Sequence, residues 1–238
     1  MIRVYCDFDG TVSGRDIGDA LFRTFAGKRA TDIVRRYLDG GINSRECLRQ
    51  ECEAVGHATP ALLEAFLEDK QLDSAFPDFV RFCAEREVPL VVLSDGLDFY
   101  VKRVLERYGL GHLKWFANHV EFVPDGDRTR LVPSFPYRDA ECELCANCKR
   151  NHILTLSGDN DIIVYVGDGI SDRCPVRYAD VVFAKKGLIK YCQQQNVSYH
   201  EYSTFADVQR RLEELMHRKR LKKRQTAERA RREVFLQG

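Results

Sequence analysis

Compact apolar runs alternate with stretches of helical period along this chain, and that alternation predicts its elements. Ile2 to Cys6 is a short β-type run that stops abruptly at Asp7-Phe8-Asp9-Gly10-Thr11. From about Asp16 to Lys70 the apolar positions recur at three- and four-residue spacing, which predicts helices. Ile17, Leu21 and Phe25 set the pattern, and Ile33, Val34, Tyr37 and Leu38 continue it. Gly40-Gly41 breaks it and Ser44 starts another segment. Thr59-Pro60 then supplies an N-cap with proline at the first helical position. Asp78 to Glu85 reads as helix, Val88 to Leu93 as a buried strand and Phe99 to Tyr108 as helix. Val120 to Phe122 and Arg130 to Val132 flank Pro124-Asp125-Gly126-Asp127, the signature of a hairpin. Ile153 to Leu156 lies in a further helix, and Ile162 to Val166 and Val181 to Ala184 are strands.

Apolar strands with little alternation, separated by helices, imply a parallel sheet covered on both faces. The expected fold class is therefore α/β, a three-layer parallel core with an inserted helical bundle and a small β-hairpin excursion. The expected boundaries are 1–12 with 76–216 for the core, 13–75 for the helical insertion and 217–238 for a C-terminal extension. In such open sheets the ligand site lies beyond the carboxyl ends of the strands.

The composition supports a packed chain. With 238 residues, 44% of them hydrophobic, disorder is excluded over most of the length. No run approaches the ~18–20 apolar residues of a membrane span. The amino end lacks a secretory pattern, so a cytoplasmic setting is expected. The charges nearly cancel, 37 Lys+Arg against 36 Asp+Glu, yet Arg218 to Gly238 carries nine basic residues and two acidic ones. This tail reads as a solvated helical extension, or as a patch for nucleic acid or an anionic surface.

Six of the nine cysteines (Cys6, Cys47, Cys52, Cys83, Cys174, Cys192) are scattered and read as reduced, mostly buried thiols. Cys142, Cys145 and Cys148 are clustered. With His152 or His119 as a fourth ligand they would suit Zn²⁺. A redox-sensitive dithiol and plain loop thiols are the other readings.

Four motifs stand at strand ends. Asp7 and Asp9 follow the first strand, and two such carboxylates need a cation or a shared proton between them. An acidic turn is the plainer reading of that pair. Ser94-Asp95-Gly96 follows a later strand and offers a hydroxyl with turn amides, a cradle suited to phosphate, although taken alone it is an ordinary turn. Gly167-Asp168-Gly169-Ile170-Ser171-Asp172 places two more acids at a strand terminus, with glycines permitting close approach. Lys149, at the start of the preceding helix, can reach in and neutralise a phosphoryl oxygen, although a surface lysine is its plainer reading when taken alone. Taken in order, these four resemble the motifs of the haloacid dehalogenase superfamily of phosphohydrolases, over about residues 2–200.

That resemblance implies a Rossmann-like core and a helical-bundle cap of the phosphoserine phosphatase-like kind. Tyr165 to Pro175, with Ala179 to Lys185, is similar to a narrower group that includes the methionine-salvage phosphatases acting on 2-hydroxy-3-keto-5-methylthiopentenyl 1-phosphate. Asn147-Cys148-Lys149 is similar to that group and to phosphocholine/phosphoethanolamine phosphatases. Carried onto this chain, the resemblance makes Asp7 the nucleophile and Asp9 the general acid and base. It assigns Mg²⁺ to Asp7, the Asp9 carbonyl and Asp168, with Asp172 beside them, and phosphate to Ser94, Asp95, Gly96 and Lys149. In the cap, Asp16 and Arg15 are candidate substrate contacts, although Asp16 equally fits a helix N-cap. The implied partner is a small phosphorylated metabolite, the chain being a monomer or homodimer. Phosphoserine, thiamine monophosphate and phosphocholine-type esters are alternative substrates, and phosphotransfer an alternative reaction. A nucleic-acid-binding scaffold using the basic tail is the alternative of another class.

Overall fold

The computed structural model describes residues 1–217 and 221–237; Arg218, Lys219, Arg220 and Gly238 of the basic tail lie outside the described residues. The chain divides into two compact units, one of residues 1–12, 73–93 and 149–238, the other of residues 13–72 and 94–148.

The first unit is built on parallel strands in the order β2-β1-β5-β6-β7. These are β1 (Ile2–Asp7), β2 (Leu90–Leu97, whose first four residues belong here), β5 (Ile162–Gly167), β6 (Val181–Ala184) and β7 (His200–Glu201). Consecutive residues Val4, Tyr5 and Cys6 are all inaccessible, as are Tyr165 and Val166. Burial at successive positions means that both faces of the sheet are covered, the reason these strands read as unbroken apolar runs. The helices of this unit are α5 (Phe76–Glu85), α7 (Lys149–Leu156), α8 (Gly187–Gln194), α9 (Phe205–Met216) and α10 (Gln225–Gln237). Phe205 of α9 packs against Phe76 and Phe79 of α5, with ring centroids 4.8 and 5.1 Å apart.

The second unit holds α1 (Ile17–Ala26), α2 (Lys28–Leu38), α3 (Ser44–Ala54), α4 (Pro60–Leu67) and α6 (Asp98–Arg107), with the antiparallel pair β3 (Lys114–Asp125) and β4 (Arg128–Ser134). The expected caps form at Asp16 and Thr59, which accept from the amides of Asp19 and Leu62, and Asn43 caps α3 by accepting from the Glu46 amide. Gly27, at φ +59°, separates α1 from α2, a break that the apolar spacing did not reveal. Residues 94–148 group with the helical insertion here, whereas the sequence placed them in the core. The ties are specific. Arg107 donates to the Leu67, Glu68 and Lys70 carbonyls at the end of α4, the Thr129 amide donates to the Ala58 carbonyl, and the Ser44 hydroxyl reaches Asp95.

The tail differs from a solvated extension. Asp180, fully buried, accepts from the Arg224 amide and the Arg231 guanidinium at 3.1 Å each, and from the Ile163 amide at 2.9 Å. Arg224 also donates to the Val176 and Arg177 carbonyls, and Ala227 is inaccessible. Arg229 and Arg232 pair with Glu233 and Glu228 along α10. Much of the basic charge is therefore used internally. Among the described residues, no helix is long and apolar enough to cross a membrane.

Candidate active site

Asp7 is the last residue of β1, paired in register with Leu93 of β2. One position back, Cys6 faces Val166 of β5. The ends of β1 and β5 are therefore adjacent, and Asp168 directly follows β5. At this edge Asp7, Asp168 and Asp172 bring carboxylate oxygens within 4.8 Å of one another. Lys149, the first residue of α7, supplies the counter-charge. Its side chain is 1% exposed, and its ammonium donates to Asp7 Oδ1 at 2.5 Å, Asp172 Oδ1 at 2.8 Å and Ser171 Oγ at 2.9 Å.

Asp172 is the most heavily bonded member. Its Oδ1 also accepts from the Tyr165 hydroxyl at 2.6 Å, and its Oδ2 accepts from the Asp168 and Gly169 amides at 2.8 and 3.0 Å. Asp168 Oδ2 accepts from Lys186 Nζ at 2.8 Å. Burial and the Asp172 carboxylate push the Asp7 carboxyl well up, against the pull of Lys149. Burial and Asp172 also raise Asp168, opposed by Lys186. Burial raises the Tyr165 phenol, which stays a donor.

The loop after β1 is shaped for this crowding. Asp9 is extended (φ −73°, ψ 119°) and half-buried, and Gly10 is left-handed at φ +75°. A Cβ on Gly10 would lie 2.4 Å from Asp168 Oδ2, so only glycine fits. Three carboxylates, Asp7 and Asp172 buried and Asp168 partly exposed, against two ammoniums form a set of hard oxygen donors with unbalanced negative charge. That donor set fits Mg²⁺.

The other expected phosphate and cap residues lie in the second unit. Ser94, Asp95 and Gly96 lie in the second unit, inside β2, which runs on to Leu97 instead of ending at Leu93. Ser94 Oγ accepts from the Gly96 amide at 3.0 Å, and the Ser94 carbonyl from Asn147 Nδ2 at 2.8 Å. Asp95 accepts from the Asn147 amide and the Ser44 hydroxyl, and its carbonyl from Asn118. Asp16 is the N-cap of α1, accepting from the Asp19 amide at 2.8 Å, and Arg15 is exposed.

The zinc expectation lacks its geometry. Among the described residues Cys142, Cys145 and Cys148 do not converge as a ligand group. Cys148 is buried with its thiol directed to Asp139 at 3.7 Å, while Cys142 and Cys145 are partly exposed.

Sequence reasoning missed Tyr165, Ser171 and Lys186 as parts of the site. Tyr165 sits inside an apolar run where a phenol reads as core. Lys186 follows a strand that carries no acid of its own.

A strand-end cluster of carboxylates bridged by a buried lysine, on a parallel sheet, defines a hydrolase of the α/β class. The chain belongs to the haloacid dehalogenase-like hydrolases, whose family profile matches residues 4–175, and it is a phosphatase of that family. It is similar to the 2-hydroxy-3-keto-5-methylthiopentenyl-1-phosphate phosphatases of Bacillus thuringiensis (strain Al Hakam) and Bacillus cereus (strain G9842). Each is 28% identical over 218 residues, covering 90% of this chain and 97% of the relative. Among solved structures, a substrate-bound phosphoserine phosphatase aligns with TM-score 0.67 at 18% identity, over 89% of this chain and 98% of the other. A HAD family hydrolase from Salmonella enterica aligns with TM-score 0.68 at 18% identity, over 86% and 68%. These last two likenesses support the fold.

Proposed function

We propose that this phosphatase is Mg²⁺-dependent, works through an aspartyl phosphate on Asp7 and acts on 2-hydroxy-3-keto-5-methylthiopentenyl 1-phosphate. The observation that carries the chemistry is the buried contact of Asp7 with Lys149 at the end of β1. The likeness to the Bacillus enzymes over nearly their whole length supports the substrate.

Asp7 attacks phosphorus in line, the ester oxygen leaves with a proton from Asp9, and the Asp7 carboxylate holds the phosphoryl group. Asp9 then takes a proton from the water that cleaves the acyl phosphate. Lys149 offsets charge on the transferring group, and Asp172, held by four donors, keeps Lys149 aimed at Asp7. Asp7, Asp168 and the Asp9 carbonyl would hold Mg²⁺, with Asp172 adding charge. When bound, the ion supplies positive charge against the phosphoryl oxygens. Phosphoryl transfer needs mainly positioning and electrostatic stabilisation, which this set provides.

A panel of phosphorylated metabolites, compared by kcat/KM with Mg²⁺ and after EDTA treatment, tests the reading. It requires metal-dependent turnover, with the methionine-salvage ester preferred over phosphoserine, thiamine monophosphate and phosphocholine. A preference for one of those others would replace the substrate, and undiminished turnover after chelation would remove the metal.

A further inference from the structure

The two ammoniums at the carboxylate cluster differ in kind. Lys149 is buried and donates to Asp7, Ser171 and Asp172. Lys186 is 57% exposed and reaches Asp168 Oδ2 at 2.8 Å, with the Gly10 carbonyl at 3.5 Å. Its backbone is nonetheless fixed to the end of β5. The Lys185 amide donates to the Gly167 carbonyl at 3.3 Å and the Leu188 amide to the Asp168 carbonyl at 3.0 Å. Lys186 itself holds φ 50°, ψ −129°, a conformation in which glycine is at ease and a residue with a Cβ is strained. A lysine stands where glycine would sit more comfortably, beside Gly187. Its backbone is over-determined and its charged end is free to move into water.

We propose that Lys186 is a tethered counter-ion for Asp168 that competes with the divalent cation and so sets the metal affinity of the site. The inference rests on the Mg²⁺ reading above. In the metal-free protein Lys186 offsets part of the charge of three crowded carboxylates. A cation entering the cluster takes over that role, and the Lys186 ammonium regains hydration as it swings out, so its displacement costs little. Lys149 has no such escape, because leaving its buried partners would strand charge in the interior. Coupling of this kind is reciprocal: a metal that expels Lys186 is itself weakened by Lys186. Lys185 separates contact from field: it acts on Asp168 through its charge alone, its ammonium lying over the Tyr202 ring at 4.8 Å.

The test is calorimetric titration of the full-length protein with MgCl₂, for wild type and for Lys186→Met, Lys186→Gly, Lys185→Met and Asp168→Asn. Lys186→Gly removes the cation while relaxing the backbone, which separates charge from strain. Both Lys186 variants are expected to bind Mg²⁺ about two- to fivefold more tightly, the range of a part-exposed ion pair. Lys185→Met should change little and Asp168→Asn should lose binding. In wild type, Mg²⁺ should raise amine-reactive labelling of Lys186, read by mass spectrometry, and leave exposed Lys190 unchanged. Asp168-dependent binding that is equal or weaker in both Lys186 variants would overturn the proposal while leaving the metal reading intact. Equal tightening by Lys185→Met would overturn it in favour of a general field effect. A wild type that binds no Mg²⁺ would overturn both.

Discussion

Tyr165 and Asp172 are joined by a 2.6 Å hydrogen bond from phenol to carboxylate, and both side chains are inaccessible. The same Asp172 oxygen accepts from Lys149, so a tyrosine inside the sheet helps to aim the lysine at Asp7. Tyr165→Phe deletes one donor and leaves the packing in place. It should cost about 1–2 kcal/mol in denaturant unfolding and lower kcat about tenfold with KM little changed. A variant with wild-type kcat would show that Lys149 is aimed without the phenol.

Gly10 is required twice, for its positive φ and for the space its missing Cβ leaves to Asp168. Gly10→Ala should destabilise the protein by about 1–3 kcal/mol. It should also weaken Mg²⁺ binding and activity together, because Asp168 must move. Unchanged Mg²⁺ affinity in the folded variant would show that Asp168 absorbs the methyl group without leaving its place.

Glu51, on α3 and 7% exposed, contacts Cys47 and has its carboxyl pushed up to about 8, chiefly by burial. Its folded value lies above its unfolded one. Its contribution to stability is thus full below the ordinary carboxyl range and is lost as pH rises from about 4.5 to about 8. Glu51→Gln removes that loss. The variant should be more stable than wild type by about 1–4 kcal/mol at pH 9, with the difference fading towards pH 5. Parallel stability curves for the two proteins would contradict this.

The parallel strands were legible because β1, β5 and β6 are buried on both faces and so carry uninterrupted apolar runs. The acids at their ends were legible because turn glycines and carboxylates stand out against such runs. Other features were hidden by ambiguity of residue type. Tyr165 in an apolar strand looks like packing until its hydroxyl is seen to find Asp172. Ser94-Asp95-Gly96 has turn chemistry, yet its carbonyls are claimed by Asn118 and Asn147 and the backbone stays extended. The tail looked solvated because its charges are dense, and only the fold brings Arg224 and Arg231 to Asp180.

That docking has a measurable consequence. Deleting residues 221–238 takes the Arg224 amide and the Arg231 guanidinium away from Asp180, and breaking a buried ion pair costs up to about 3–5 kcal/mol. The truncated protein should lose stability of that order in denaturant unfolding. A truncation that leaves the unfolding midpoint unchanged would mean the tail is only loosely attached.

The central claim is that the Asp7 carboxylate becomes phosphorylated, and reductive trapping tests it most directly. Enzyme turning over a phosphate ester is quenched into borohydride, which converts an aspartyl phosphate to homoserine, and the peptide containing residue 7 is read by mass spectrometry. The account predicts homoserine at position 7, dependent on substrate and absent from Asp7→Asn. Continued turnover with an unmodified Asp7, or trapping at Asp9 or Asp168 instead, would contradict it.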